Sequence, residues 1–416
     1  MVDRKETAGM PWTMLGIATL MGFAMWAPMF AIPPMEHILT AELGLTHAQI
    51  GLLYVIPLLM TIAVSIPAGI LADKIGLRKT AGIGAIMIAA GTALRGLAID
   101  APSLLGFTFL YGLGYAWVFP NLPKLVSAWV PREKANIGTG IFSAGFASGV
   151  GAGLAITMPL IYPITNTYQG TLLIWSIPSI AAAILWWKIV KDSPSDSPRT
   201  EQTVETGKVP FSVIIRNRNL WLIATLLLLT EFFFFTWAGW ASTLLIAKGA
   251  SPDNAGFITS ISMWAGIPTC FLIPRLSHRL GLRRPFIWGA AAILLAVAWW
   301  VLHVPLYLAW LPMVILGIAD LTRYVNILTL PVEMMPHQQI GRASGLVLSI
   351  GAVGGFIGPI IGGRILDLTG SLNQAFIVLA GVAAATIVVT FLLPEIGPMA
   401  KRQKHPRHGV VESKEG

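Results

Sequence analysis

The chain has 416 residues, of which 55% are hydrophobic and only 11% charged, against roughly a quarter charged in an ordinary soluble domain. That composition cannot cover a water-facing surface of normal size, so the outer surface is expected to face lipid. The net charge of +9 would suit nucleic acid, but the basic residues are spread between apolar runs instead of gathered in one stripe, so no nucleic-acid partner is expected.

In chain order the apolar runs fall near 12–32, 49–71, 80–99, 104–128, 138–161, 171–190, 219–246, 255–275, 285–303, 306–330, 341–365 and 374–394. Each is long enough to cross a hydrocarbon core of ~30 Å. Backbone groups cannot stay unpaired in lipid, so each run is expected to be a helix. A β-barrel would show segments of ~10 alternating residues, and none is seen. The first run is too long for a signal-peptide core and is kept as the first span. The predicted fold is therefore an all-α membrane protein of twelve transmembrane helices.

An even number of spans places both termini on one side. Apart from Arg95, Lys124, Lys248, Arg323 and Arg364, every Lys and Arg then lies on that same side. This is the positive-inside pattern, and it assigns both ends to the cytoplasm of, in our reading, a prokaryotic inner membrane. Tryptophans 12, 129, 186, 187, 221, 299, 300 and 310 fall near predicted boundaries, as an interfacial belt requires. The single cysteine, Cys270, reads as a small packing residue within a span.

The chain is also written twice. A shift of 205 brings Gly44 onto Gly249, Gly51 onto Gly256, Gly76 onto Gly281, Gly112 onto Gly317, Asn121 onto Asn326 and Gly149 onto Gly354. Two six-helix halves follow, at 1–190 and 218–396. The polar, Ser- and Pro-rich stretch 191–217 reads as a cytoplasmic linker, and 397–416 as a charged cytoplasmic tail.

Between the second and third runs lies "GILADKIGLRK" (69–79), matched in the second half by "PRLSHRLGLRR" (274–284). Gly69 and Gly76 would let the backbone turn sharply and let a helix come close. Lys74, Arg78 and Lys79 would hold the loop on an anionic cytoplasmic surface. The pattern G-x-x-x-D-[RK]-x-G-x-[RK]-[RK], with the two-half layout, resembles the signature loop of the major facilitator superfamily of secondary transporters. That resemblance covers almost the whole chain. It implies alternating access by two halves rocking about a central site. It also implies that Asp73 sits against the start of helix 11, near Gly341 and Arg342, and so acts as a latch of the outward-open state. His278 stands where the second copy would carry the acid, so that latch should be weaker or pH-sensitive.

The resemblance places the cavity among helices 1, 4, 7 and 10. Charges inside spans are costly and are the natural functional candidates. Helix 10 carries Asp320, Arg323, Tyr324 and Asn326, and helix 7 carries Glu231. In helix 4, Trp117, Asn121 and Lys124 follow i, i+4, i+7 and so share a face, and Trp26 is a candidate wall. Arg323 is the expected anchor for an anionic group, because its planar fork grips an oxyanion at two points, with Lys124 assisting. Glu231 or Asp320 would carry a proton. The competing reading pairs Asp320 with Arg323 structurally. Arg95, near the end of helix 3, is expected to snorkel, and Asp367 is a possible partner for Arg364.

The expected function is secondary transport of a small organic or inorganic anion, with H+ coupling or exchange, and with a small-molecule substrate and the lipid bilayer as partners. The segment 114–145 is similar to cyanate and nitrate/nitrite porters. However, no arginine lies in 49–71 and no asparagine in 145–153, which argues against nitrate. Of the drug/proton antiporter pattern G-x-x-x-G-P-x-x-G-G, helix 5 keeps Leu154 at the proline position, and helix 11 carries the full pattern instead. An exporter of lipophilic or cationic compounds is the first alternative, and a transporter-like sensor the second. No metal-ligand cluster, nucleotide loop or nucleophile motif is present, so an enzyme is not expected, nor is any cofactor.

Overall fold

The structure is a computed structural model. It describes residues 12–122, 130, 135–191, 216–335 and 339–394, and at a few helical positions among these only the backbone. Twelve long helices make up the described residues. They are α1 (Trp12–Phe30), α2 (His47–Ile75), α3 (Leu77–Arg95), α4 (Ala101–Val118), α5 (Ala135–Ile156), α6 (Tyr168–Ile189), α7 (Arg218–Ala247), α8 (Pro252–Leu280), α9 (Arg284–His303), α10 (Trp310–Met334), α11 (Ile340–Thr369) and α12 (Asn373–Leu392). Ten stretches are long and apolar enough to cross a membrane. Of the remaining two helices, α3 opens with Arg78 and Lys79, and α4 is diluted by glycine, serine and tyrosine.

Local sequence explains where the helices start and stop. Thr46 and Gln49 form a reciprocal capping box at the start of α2, Asp100 and Ser103 do the same for α4, and Thr167 caps α6. Each side chain satisfies an N–H that has no helical partner. Turns at repeat-related positions use glycines with positive φ: Gly44 (61°) with Gly249 (96°), and Gly76 (93°) with Gly281 (67°). Side chains with a Cβ avoid that region.

Gly69 does not turn the chain. It lies inside α2, which runs unbroken to Ile75, so the α2–α3 turn depends on Gly76 alone. Helix 4 is interrupted within its predicted extent of 104–128: α4 stops at Val118, Phe119 to Asn121 form a turn, Leu122 is helical again, and 123–129 lie outside the described residues. Pro120 contributes to this, because it has no N–H with which to continue the helical bonding. The chain between α1 and α2 is also helical, as a turn at Pro33–Met35 and a short helix Glu36–Leu43.

Repeat-related glycines mark equivalent helix crossings. Gly51 of α2 meets the backbone of Pro359 in α11, and Gly256 of α8 meets that of Leu154 in α5. Gly149 of α5 packs on Phe23 of α1, and Gly354 of α11 on Leu228 of α7. Gly112 of α4 meets α2 and Gly317 of α10 meets α8. Close approach of backbones is how helices associate where no hydrophobic effect drives them.

We call the end carrying Trp12 and the α2–α3 and α8–α9 turns the base, and the opposite end the top. The halves meet at the top, through the Gly51–Pro359 and Gly256–Leu154 crossings and through Gly363 of α11 against the backbone of His47. Toward the base, Gly345 of α11 has nothing within 4 Å of where a Cβ would lie, and Ala63, Pro67, Ser143, Leu348 and Ser349 are exposed. The conformation is closed at the top and open at the base.

Candidate functional site

Arg323 of α10 is fully buried against α7. Its Nη2 donates to Asp320 Oδ1 at 2.6 Å, one helical turn earlier, and to the Thr230 carbonyl of α7 at 3.4 Å. The guanidinium lies over the Phe233 ring, 5.1 Å from its centroid. Its Nε and Nη1 are buried with no acceptor among the described residues. An unsatisfied charged donor costs free energy wherever water is excluded. The pairing with Asp320 thus accounts for Nη2 and leaves Nε and Nη1 without a partner among the described residues.

Glu231 of α7 is near this group. It lies near Arg323, Asp320, Tyr54 of α2, Tyr115 of α4 and Tyr324 of α10. Unlike Arg323, it is only partly buried. Two of these tyrosines, Tyr54 and Tyr115, carry buried hydroxyls without a partner among the described residues, as does the indole N–H of Trp26. The site therefore presents several unused donors on the tyrosines near Glu231 and on the neighbouring Trp26.

Aromatic rings close the site above. Trp26 stacks on Phe30 at 5.7 Å and on Phe235 at 6.2 Å, and meets Tyr115 edge-on at 6.0 Å. Tyr54 meets Phe30 at 5.1 Å and Phe235 at 5.9 Å. The Trp26–Phe235 and Tyr54–Phe235 contacts join the first half to the second. Offset and edge-on packing of this kind adds about 0.5–1.5 kcal/mol per pair beyond area burial.

The structure brings together Trp26, Glu231, Asp320, Arg323 and Tyr324, but disperses other expected site residues. Asn326 is committed elsewhere: its Oδ1 accepts from Ser277 at 2.8 Å and from Arg283 at 3.5 Å, and Arg283 in turn binds Glu333 at 2.5 Å. Its repeat partner Asn121 donates to the Trp117 carbonyl, leaving its own buried carbonyl oxygen without a partner among the described residues. Trp117 packs its Cβ against Gly84 of α3. Lys124 and the side chains of Asp73, His278 and Arg342 lie outside the described residues. Lys74 and Lys79 are exposed, while Arg78 donates to the Trp187 carbonyl at 3.1 Å and lies over that ring.

Two further expectations are corrected. Arg95 does not snorkel: it is 1% exposed, donates to the Pro28 carbonyl of α1 at 3.2 Å, and lies over the Tyr111 ring. Tyr111 donates to the Met25 carbonyl, and Ser179 of α6 donates to Ala24. Pro28 has no N–H to offer that Ala24 carbonyl, so α1 needs partners from its neighbours there. Asp367 pairs with His47 of α2 and not with Arg364, which is exposed. Sequence reading also missed Tyr54 and Tyr115. Their hydroxyls stood out only as polar tips within apolar runs, a signal shared by most membrane tyrosines.

A sequence profile of the Major Facilitator Superfamily matches residues 14–359 and 249–414. The 2-nitroimidazole transporter of Escherichia coli (strain K12) is 25% identical over 90% of this chain and 91% of its own. The cyanate transport protein of the same strain is 21% identical over 91% and 97%. Among solved structures, a bacterial homolog of the human lysosomal transporter Spinster, in an inward-facing and occupied conformation, superposes with a TM-score of 0.74 at 16% identity, covering 93% of this chain and 97% of that one. The twelve helices, the paired glycine crossings and the profile match agree: the chain belongs to the Major Facilitator Superfamily, and it is a multi-pass membrane transporter, not an enzyme.

Proposed function

We propose that the protein carries a small anion by alternating access, with Arg323 as its anchor and a proton taken up together with the anion. The observation that carries this reading is the pair of nitrogens, Nε and Nη1, without a partner among the described residues on a fully buried guanidinium. Each of these N–H groups can donate a charge-assisted hydrogen bond to an oxygen of an anion.

Charge balance supports the coupling. Asp320 and Arg323 neutralise one another, so an ionised Glu231 would leave the site with one net negative charge and repel an anion. A protonated Glu231 leaves it neutral and able to accept one. Anion and proton therefore bind with mutual support, and linkage makes that support reciprocal. By the positive-inside rule the base faces the cytoplasm, so the structure's open end is the inner one. Asp73 then holds the base closed in the opposite state, through the start of α11.

A thermal-shift screen of the purified protein against small carboxylates, inorganic oxyanions and lipophilic cations tests the anchor. A ligand at 100 times its dissociation constant adds about 2.7 kcal/mol to the folded state. Stabilisation by anions that is lost in Arg323→Lys, which keeps the charge but not the fork, supports the reading. Stabilisation by cations alone would move it to an exporter in which Glu231 is the anchor. Glu231→Gln in proteoliposomes should keep anion exchange and lose accumulation driven by a pH gradient.

A further inference from the structure

At the closed top, one imidazole is held between two carboxylates from different parts of the chain. His47 Nδ1 lies 2.7 Å from Asp367 Oδ1 of α11, and its Nε2 lies 3.1 Å from Glu36 Oε1 in the short helix between α1 and α2. Asp367 also accepts from the backbone N–H groups of His47 at 2.9 Å and Ala48 at 3.0 Å, so it caps α2 from the opposite half. Thr243 of α7 donates to Glu36 Oε2 at 3.3 Å, a second crossing between the halves.

A neutral imidazole has one donor and one acceptor nitrogen. With carboxylate oxygens facing both, one nitrogen lone pair would oppose an anionic oxygen at hydrogen-bond distance. Both contacts are satisfied only when the cluster holds one further proton, on the ring or shared with a carboxylate. The cluster cannot persist when the top opens, because His47 and Glu36 belong to the first half and Asp367 to the second. Opening also strips Asp367 of two backbone donors.

We propose that Glu36, His47 and Asp367 form a proton site that exists only in the top-closed state, so that closing the top binds a proton and opening it releases one. The groups facing His47 are Glu36 from the α1–α2 segment and Asp367 from α11, with the uncharged Trp240 ring of α7 at 6.2 Å. His37, next to Glu36 in the chain, is the other titratable neighbour of that carboxylate. Of the three, His47 is the most accessible, with its side chain 28% exposed against 6% and 15% for Glu36 and Asp367, so protons reach the site from the solution at the top. Linkage fixes the sign: the closed state binds more protons, so acid favours closure and rising pH favours opening. This site is separate from Arg323 and does not depend on which anion is carried.

The test uses the full chain in nanodiscs, with Cys270→Ser as background and spin labels at Ala41→Cys and Asn373→Cys, one on each half at the top. Distance distributions are recorded between about pH 5 and pH 8, where imidazoles change charge. Both faces see the same pH, so the result does not depend on orientation in a membrane. The unmodified cluster should show the closed-to-open ratio falling with pH, by up to about tenfold per unit, the limit for one proton. His47→Gln should flatten that dependence, as should Asp367→Asn, which keeps a carbonyl to cap α2. His37→Gln should leave it intact. A pH-independent distribution in the unmodified cluster, or an unchanged slope in His47→Gln, overturns the proposal.

Discussion

The two halves share a backbone plan and divide the chemistry. Under the 205-residue shift, Glu231 corresponds to Trp26, Asp320 to Tyr115, Arg323 to Val118, Tyr324 to Phe119 and Phe235 to Phe30. The charged wall thus comes from the second half and the facing aromatic wall from the first. The crossings behave oppositely, since Gly51 and Gly256, Gly149 and Gly354, and Gly112 and Gly317 make equivalent contacts in both halves. Packing constrains both copies in the same way, because two backbones can approach only where no side chain intervenes. The site carries no such symmetry requirement. A single charged wall suffices to hold an anion, and an apolar wall moving against it lets the halves separate without parting a second buried ion pair, which would be costly.

The turns at the base show the same division. Arg78 of the first half packs on Trp187, whereas its counterpart Arg283 binds Glu333, Ser277 and Asn326. The residue equivalent to Glu333 is Ala128, so the first half has no carboxylate to offer Arg78 there. The two copies of one loop therefore differ: the second half holds Arg283 in a polar network, whereas Arg78 rests on Trp187.

The comparison is tested most severely at Arg323. Arg323→Ala should lower stability by about 3–5 kcal/mol, because it leaves Asp320 buried without a partner. The double variant Asp320→Asn with Arg323→Gln should recover most of that in a denaturation experiment while still failing to respond to anions. Recovery of anion response in the double variant would place the anchor elsewhere.

Gly51→Ala and Gly256→Ala should each push the top apart, costing the closed state about 1–3 kcal/mol. Label distances across the top should shift by similar amounts in both. A shift in only one of them would break the equivalence of the two crossings. At the base, Asp73→Asn should favour the base-open state while His278→Asn changes little, read from labels across that end.

Smaller effects are expected where one half supports itself. Tyr111→Phe removes a buried hydroxyl from the Met25 carbonyl and should cost about 1–2 kcal/mol. Lys248 donates to the carbonyls of Val301, Leu302 and Val304 at 2.7–3.2 Å, and these end helix α9. Lys248→Ala should cost about 0.3–1 kcal/mol, seen as a modest fall in thermal midpoint.

Much of this architecture is legible in the amino-acid sequence, because hydrocarbon imposes strict rules. Runs of apolar residues must be helices, and their number, the repeat and the Gly76 and Gly281 turns follow from local chemistry. Arg323, Asp320 and Glu231 were equally visible, since a charge in lipid stands out on composition alone. Pro120 could have shown that α4 is interrupted between Trp117 and Asn121.

What the tertiary structure decided is which polar groups have partners. Arg95 and Arg323 look alike in sequence, each a lone arginine in an apolar run. Each keeps two buried nitrogens without a partner among the described residues, but Arg95 is held by the carbonyl of Pro28 and the ring of Tyr111, whereas Arg323 is paired with Asp320 and lies near Glu231. Nor could sequence join Glu36 and His47 to Asp367, some 320 residues away. Such pairings depend on how the halves meet, and hydrogen-bond geometry is set by distances of a few tenths of an ångström that apolar periodicity does not encode.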